Sequence, residues 1–213
     1  MRLLAIDCAT PACSAALFDG DRLVAGACEV IGRGHAERLV PMIAALPDRG
    51  RAARIAVSLG PGSFTGVRIG LAAARALGLA WGAEVLGFPT LALVAAMGRE
   101  RRREEGGRGA PLPARPVSVC MTGGHGEWFV QDFAADGTAD GPLLSLTPDA
   151  AAAAARHDIV AGSEAEALVA RRGYGAAVAL LPDARQLHLL PPALLESSLT
   201  PLYGRAPDAR LPA

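Results

Sequence analysis

The glycine-rich run at residues 60–70 is the part of this sequence best suited to chemistry. It reads G-P-G-S-F-T-G-V-R-I-G and leads from an apolar, strand-like run into a helical pattern. Glycine adopts backbone conformations that other residues resist, and amides at the start of a helix attract anions. The spacing therefore fits two structures: a loop that approaches a phosphate, or a tight strand-to-helix connection that packs closely.

An acidic residue ends the first apolar run of the chain. Asp7 closes the run R-L-L-A-I-D, and Thr10 lies in the turn that follows. A carboxylate at such a strand end can position a magnesium-bound nucleotide, and it serves equally as a polar strand terminus. Together with the glycine loop it defines a candidate nucleotide-binding set, namely Asp7, Thr10, Gly60, Gly62 and Ser63.

A stripe of small residues follows the glycine loop. Gly66, Gly70 and Ala74 recur every four residues, and in a helix each such step drifts by only about 40°. A smooth stripe allows another helix to come close. Apolar residues at helical spacing also occur in the run 35–46, which predicts a second amphipathic helix. The spacing does not say whether the stripe packs inside this chain or against another one.

The composition excludes several classes of enzyme. The 213 residues include no lysine, so all 21 basic residues are arginine. This excludes Schiff-base lysine chemistry, P-loop NTPases and protein kinases, each of which requires a lysine. The 21 basic residues balance 21 acidic ones, which argues against a dominant basic surface for nucleic acid.

Histidine and cysteine spacing gives no metal motif. His35 has no second histidine four residues later, because position 39 is leucine, and the four cysteines form no C-x-x-C pair. Cys8 and Cys13 are expected to face each other across a hairpin as small buried thiols rather than as a disulfide. No signal peptide or membrane span is recognised, so the sequence indicates a cytoplasmic protein.

The elements that must position these residues alternate between strands and helices, which predicts an α/β fold. The chain opens with a three-stranded meander whose tight turn is Gly20-Asp21. A charged and then Gly/Pro-rich stretch at 99–116 is interpreted as a linker or mobile loop. It divides an N-terminal lobe, 1–98, from a C-terminal lobe, 117–213.

Several of these runs resemble the TsaB (YeaZ) family of tRNA threonylcarbamoyladenosine biosynthesis proteins. The resemblance is carried by L-L-A-I-D-C-A-T-P-A-C-S-A-A-L, H-A-E-R-L-V-P-M-I, the glycine run with its helix, and P-L-Y-G-R-A-P-D-A. It covers residues 1–97 and, as a short tag, 201–209. It implies an actin-like, Hsp70-like (ASKHA) α/β fold with two lobes.

The resemblance also implies a function. The chain is expected to be a non-catalytic scaffold for a TsaD-type transferase, joined by a TsaE-type ATPase, and a homodimer when alone. It would reach tRNA only through the complex, contact no membrane, hold no metal or intrinsic cofactor, and meet ATP or ADP only at the complex interface. Pairing through the two N-terminal helices gives a predicted partner interface of Leu39, Met42, Ile43, Gly66, Gly70, Leu71 and Ala74.

Two other functions are compatible with the same fold. One is an ATP-dependent phosphotransferase, which would need a second phosphate loop and a catalytic carboxylate in the C-terminal lobe. The other is a metalloprotease-like relative, against which the missing second histidine argues. The chain also departs from the usual TsaB pattern: where such chains carry an Asp-Ala-Arg hairpin, this one has T-G-G-H-G-E at 122–127.

Overall fold

The computed structural model describes residues 1–105 and 115–204. Its first sheet consists of five strands: β1 (Arg2–Asp7), β2 (Ala12–Asp19), β3 (Arg22–Val30), β4 (Arg54–Ser58) and β5 (Glu84–Phe88). Their order in the sheet is β3-β2-β1-β4-β5. The first three strands form the predicted antiparallel meander, and Gly20 turns between β2 and β3 with a φ of 58°. β4 and β5 run parallel to β1, so their carboxyl ends share one edge.

Three helices cover this sheet. They are α1 (His35–Ala44), α2 (Phe64–Trp81) and α3 (Thr90–Glu105). α1 and α2 pack side by side on one face, where Leu4, Ile6 and Leu17 project into their shared core. α3 covers the opposite face, where Phe18 and Phe88 are buried. Pro41 lies inside α1, as the sequence indicated, and removes one intrahelical donor.

A second five-stranded sheet follows. Its strands are β6 (Val117–Thr122), β7 (Trp128–Phe133), β8 (Leu144–Leu146), β9 (Ile159–Ala161) and β10 (Ala176–Val178). Their order is β10-β9-β6-β7-β8, with β6, β7 and β8 antiparallel and β6, β9 and β10 parallel. This is the topology of the first sheet repeated. Helices α4 (Pro148–Ala154) and α5 (Ala165–Arg172) cover its outer face, and α3 packs on its inner face.

The end of the described chain returns to the first sheet. A 3-10 segment at Ala184–Leu189 packs against the first sheet and α3. Glu196 then pairs with Gly87 of β5 through two backbone hydrogen bonds of 2.7 and 2.9 Å. Further on, the amide of Leu202 donates to the carbonyl of Leu59 at 2.8 Å. We call residues 196–204 the C-terminal strap, because it ties the second half of the chain to the first.

The interpretation of 99–116 as a linker or mobile loop is wrong for its first part. Residues 99–105 continue α3, where Arg103 pairs with Glu100 and Arg102 with Glu105 at i,i+3 spacing. Residues 106–114 lie outside the described residues. Within the described ranges, no helix is long and apolar enough to cross a bilayer.

Candidate functional site

The glycine loop lies directly against the turn between β1 and β2. A Cβ atom on Gly62 would stand 2.0 Å from the carbonyl oxygen of Ala9, and one on Gly66 would stand 2.0 Å from that of Cys8. The amide of Ser63 donates to the Ala9 carbonyl at 2.7 Å, and the Ser63 hydroxyl accepts from the Gly66 amide at 3.2 Å. Glycine is therefore required here by the close approach of two backbones.

The candidate nucleotide-binding residues do not form one open site. Thr10, Gly62 and Ser63 line a cavity, whereas Asp7 and Gly60 are buried and do not line it. Asp7 is completely buried, in the core of the first sheet, and Gly60 forms the turn with a φ of 91°. Nucleotide binding by this set stays a prediction.

Asp7 stands in an unusual electrostatic environment. Its Oδ1 accepts from the Ala9 amide at 2.9 Å, while Oδ2 has no hydrogen-bond partner among the described residues. Burial, the largest cause, raises the pKa of Asp7 to about 7, and the carboxylate of Asp183 adds to the rise. The Ala9 amide and, at longer range, the Ser58 hydroxyl oppose it. The folded protein therefore holds this carboxyl partly protonated near neutrality.

His35, Cys8 and Cys13 also surround the turn between β1 and β2. The His35 ring donates from Nε2 to the Thr10 carbonyl at 2.8 Å, which fastens the start of α1 to this turn. The Sγ atoms of Cys8 and Cys13 face each other at 3.8 Å, and both residues are free thiols. This separation is well beyond the roughly 2.05 Å of a disulfide bond.

A cavity of about 770 Å³ lies where the equivalent edges of the two sheets face each other. The turn between β1 and β2 and the glycine loop form one side, and the hairpin 122–125 with Ser163 forms the other. The two halves thus contribute the same topological positions: the turn after the first strand, and the connection that follows its parallel neighbour. In open α/β sheets, such carboxyl-end crevices are the usual place for a ligand.

An arginine held between two aromatic rings borders this cavity. The Cζ of Arg68 lies 3.3 Å from the centroid of the Phe64 ring, and its Nη2 donates to the Tyr203 hydroxyl at 3.1 Å. Both rings remain about half exposed, at 58% and 51%. The spacing of residues in the sequence did not single out Phe64, Arg68 and Tyr203. The first two lie in the glycine run and the third in the terminal P-L-Y-G tag, and only the fold shows that the C-terminal strap brings these two motifs together.

The predicted partner interface is wrong as a contact surface. All seven of its residues are buried within this chain: Leu39, Met42, Ile43, Gly66, Gly70, Leu71 and Ala74. A Cβ on Gly70 would contact Val57 and Ile6 of the first sheet at 3.4 and 3.8 Å. The small stripe exists because α2 packs closely on the sheet, so it faces inward.

The outer faces of the same two helices carry apolar side chains. Leu79 on α2 is 89% exposed and Val40 on α1 is 58% exposed. Pro41 of α1 and Ala72 and Ala76 of α2 are exposed as well. We call these five residues the outer helix face. Because exposed apolar patches mark protein–protein interaction sites, this face is a candidate for one.

Comparisons with known proteins agree with this architecture. A family model described as "TsaD: tRNA N6-adenosine threonylcarbamoyltransferase" matches residues 28–182. The structure of YeaZ from Pseudomonas aeruginosa is 32% identical, covers 95% of this chain and 99% of its own, and superposes with a TM-score of 0.76. This chain belongs to the TsaB (YeaZ) family. The expected actin-like (ASKHA) α/β fold class is confirmed.

Two curated TsaB relatives match a shorter part of the chain. The "tRNA threonylcarbamoyladenosine biosynthesis protein TsaB" of Escherichia coli (strain K12) is 45% identical over 102 residues, which is 45% of this chain and 43% of that protein. The protein of the same name from Haemophilus influenzae is 40% identical over 101 residues, 45% of this chain and 41% of its own. These alignments span less than half the length of the curated relatives.

Proposed function

We propose that this chain acts in threonylcarbamoyladenosine biosynthesis as a non-catalytic subunit that pairs with a TsaD-type transferase. Its membership of the TsaB (YeaZ) family supports the pathway, because relatives of this family carry that biosynthesis in their names. The single observation that supports pairing is the outer helix face. On the proposed reading, a TsaE-type ATPase joins the pair in the cytoplasm, tRNA binds through the complex, and ATP or ADP binds only where subunits meet.

The outer helix face suits helix-to-helix pairing for two physical reasons. Leu79 and Val40 stand clear of the chain's own core, so a partner would remove most of their apolar area from water. Ala72 and Ala76 lie between larger residues along α2 and allow another helix to come close. In the absence of the transferase, the same face pairs with a second copy, which gives the homodimer.

A phosphotransferase of the same fold has weaker support. It would need a carboxylate facing its substrate, and the described residues that line the cavity include no Asp or Glu. Glu164, next to the lining residue Ser163, accepts a hydrogen bond from the Thr122 hydroxyl at 2.6 Å, and Asp7 is enclosed by the core. The scaffold reading needs no carboxylate there.

The proposed pairing predicts that charge on the outer helix face abolishes association. In a Val40→Asp, Leu79→Asp double variant each carboxylate would be buried against an apolar partner, so we expect the apparent Kd for the TsaD-type protein of the same genome to rise by at least tenfold. Both sites are exposed in the free chain, so its own stability should change little. Size-exclusion chromatography with light scattering measures the complex.

Tyr174→Asp is the matched control, because Tyr174 is also a large exposed side chain but lies in the second half of the chain. The Tyr174→Asp variant should bind the TsaD-type protein as tightly as the unmodified chain does. Coelution that persists in the double variant would place the partner elsewhere. Failure of the unmodified chain to associate, even with ATP and the TsaE-type protein present, would refute the scaffold role.

A further inference from the structure

The cavity between the two halves has the size and walls of a small-molecule site. Its volume of about 770 Å³ falls in the range of roughly 300–1,000 Å³ typical of ligand pockets. Much of its wall is hydrocarbon, contributed by Val67, Met121, Phe129, Leu181 and Leu202. An apolar wall of this extent favours a ligand with an apolar body.

The lining of the cavity carries a positive charge at Arg68, and none of its described lining residues is acidic. The carboxylate of Glu164 lies beside the lining, where it accepts from the Thr122 hydroxyl at 2.6 Å. The guanidinium of Arg68 is held in place by the Phe64 ring and the Tyr203 hydroxyl. Because an arginine has five N–H donors and one of them serves Tyr203, others remain to bind an anionic group at little further cost in side-chain entropy.

Other polar groups of the lining add to this preference without carrying it alone. Ser63 and Phe64 at the start of the 18-residue helix α2 line the cavity, so the positive end of the helix dipole points toward it. Thr10, Thr122 and Ser163 contribute hydroxyls. A magnesium-bound nucleotide is disfavoured, because the described lining residues include no carboxylate to hold the metal and Asp7 is completely buried.

We propose that this cavity binds a small organic anion with an apolar body, whose carboxylate, sulfonate or phosphate group meets Arg68. The apolar body would lie between the α2 side, at Val67, and the second-sheet side, at Phe129. The C-terminal strap completes the site through Leu202 and Tyr203. The site is separate from the outer helix face and does not depend on the function proposed above.

A pair of fluorescent dyes of the same shape tests this site. The first is 8-anilinonaphthalene-1-sulfonate, an apolar anion, and the second is N-phenyl-1-naphthylamine, its uncharged analogue. The folded chain should bind the sulfonate saturably with one dye per chain. In Arg68→Gln the Kd for the sulfonate should rise by about tenfold, because a charge-assisted hydrogen bond is lost, while the Kd for the neutral dye should change less than twofold.

Arg75→Gln is the matched control for that variant. Arg75 is another exposed arginine of α2 and also ties the strap, through the Leu199 carbonyl at 3.2 Å, but it does not line the cavity. It should bind both dyes as the unmodified chain does. A Gly124→Trp variant fills the cavity instead: a Cβ there meets open space, and we expect binding of both dyes to fall by tenfold or more.

Competition experiments with the sulfonate dye distinguish between classes of ligand. Decanoate should displace the sulfonate dye, and Mg-ATP should displace it at least tenfold less effectively. More effective displacement by Mg-ATP would overturn the assignment in favour of a nucleotide. Dye binding that persists in Gly124→Trp but vanishes in Val40→Asp, Leu79→Asp would place the dye on the outer helix face. Equal losses of sulfonate-dye binding in Arg68→Gln and Arg75→Gln would show that both substitutions act only by disturbing the C-terminal strap.

Discussion

Replacing Gly66 with alanine is expected to lower the free energy of unfolding by about 3 kcal/mol or more. The new methyl group would stand 2.0 Å from the carbonyl oxygen of Cys8, and the atom in its way is backbone rather than a movable side chain. Relief requires the start of α2 to withdraw from the turn between β1 and β2, which also stretches the hydrogen bond from Ser63 to Ala9. Urea unfolding followed by circular dichroism measures the loss.

Gly70→Ala is the matched control, one helical turn further along α2. Its Cβ would contact Val57 at 3.4 Å, an ordinary van der Waals distance. Alanine is a better helix former than glycine by about 0.5–1 kcal/mol, so this variant should be as stable as the unmodified chain or slightly more stable. Equal stability of the Gly66 and Gly70 variants would contradict the close approach that defines the glycine loop.

This pair also explains why the small stripe was assigned to a partner. Periodicity shows that Gly66, Gly70 and Ala74 share one face of a helix, but it does not show which way the face points. A smooth face serves equally for approach to another helix and for approach to the chain's own sheet. The structure places it against the sheet, and the face available to a partner is the opposite one, with Leu79.

Strands and helices with long apolar patterns were predictable, and short or polar ones were not. β1 is a buried apolar run whose bounds match the run R-L-L-A-I-D from which it was predicted. β8 and β10 have three residues each, too few to give a pattern. The charged end of α3 was taken for a linker because it lacks an apolar period, yet its ion pairs at i,i+3 spacing suit a solvated helix end.

The candidate site was harder to predict from local sequence patterns than the strands and helices were. Thr10 and Ser63 follow neighbouring strands of one sheet and line the cavity, but their binding of a nucleotide stays a prediction. The Tyr203 contact with Arg68 joins residues 135 positions apart, and no local pattern encodes such a contact. Asp7 was placed at a strand end, which is right, but burial decides whether a carboxylate is available, and burial depends on the packing of the whole half.

Replacing Asp7 with asparagine is expected to remove a pH dependence of stability. The pKa of Asp7 is raised from 3.8 to about 7 in the folded protein. Between these values the folded protein holds a proton that the unfolded chain has released, so the contribution of Asp7 to stability is largest below about pH 4 and is lost as the pH rises through 7. From pH 5 to pH 7 this amounts to about 2 kcal/mol, and to about 4 kcal/mol in all.

Asparagine suits the site because its oxygen can still accept from the Ala9 amide, while its amide replaces the oxygen that lacks a partner. At pH 7 and above the variant should therefore be more stable than the unmodified chain by a few kcal/mol. Several exposed carboxyls have lowered pKa values, among them Asp19, Glu29 and Asp136. Their contribution to stability is lost as the pH falls below about 4, which is the opposite of the trend for Asp7.

The difference in the free energy of unfolding between the unmodified chain and Asp7→Asn isolates the effect of Asp7. Urea unfolding at pH 5, 6 and 7 gives the free energy of each, and titrations common to both, including those of the histidines, cancel in the subtraction. The difference should grow in favour of Asp7→Asn as the pH rises. A constant difference would mean that the carboxyl is ionised in the folded protein throughout. The cost of burying this charge at the end of β1 would then be offset by a group that stabilises it, and the raised pKa of Asp7 would be refuted.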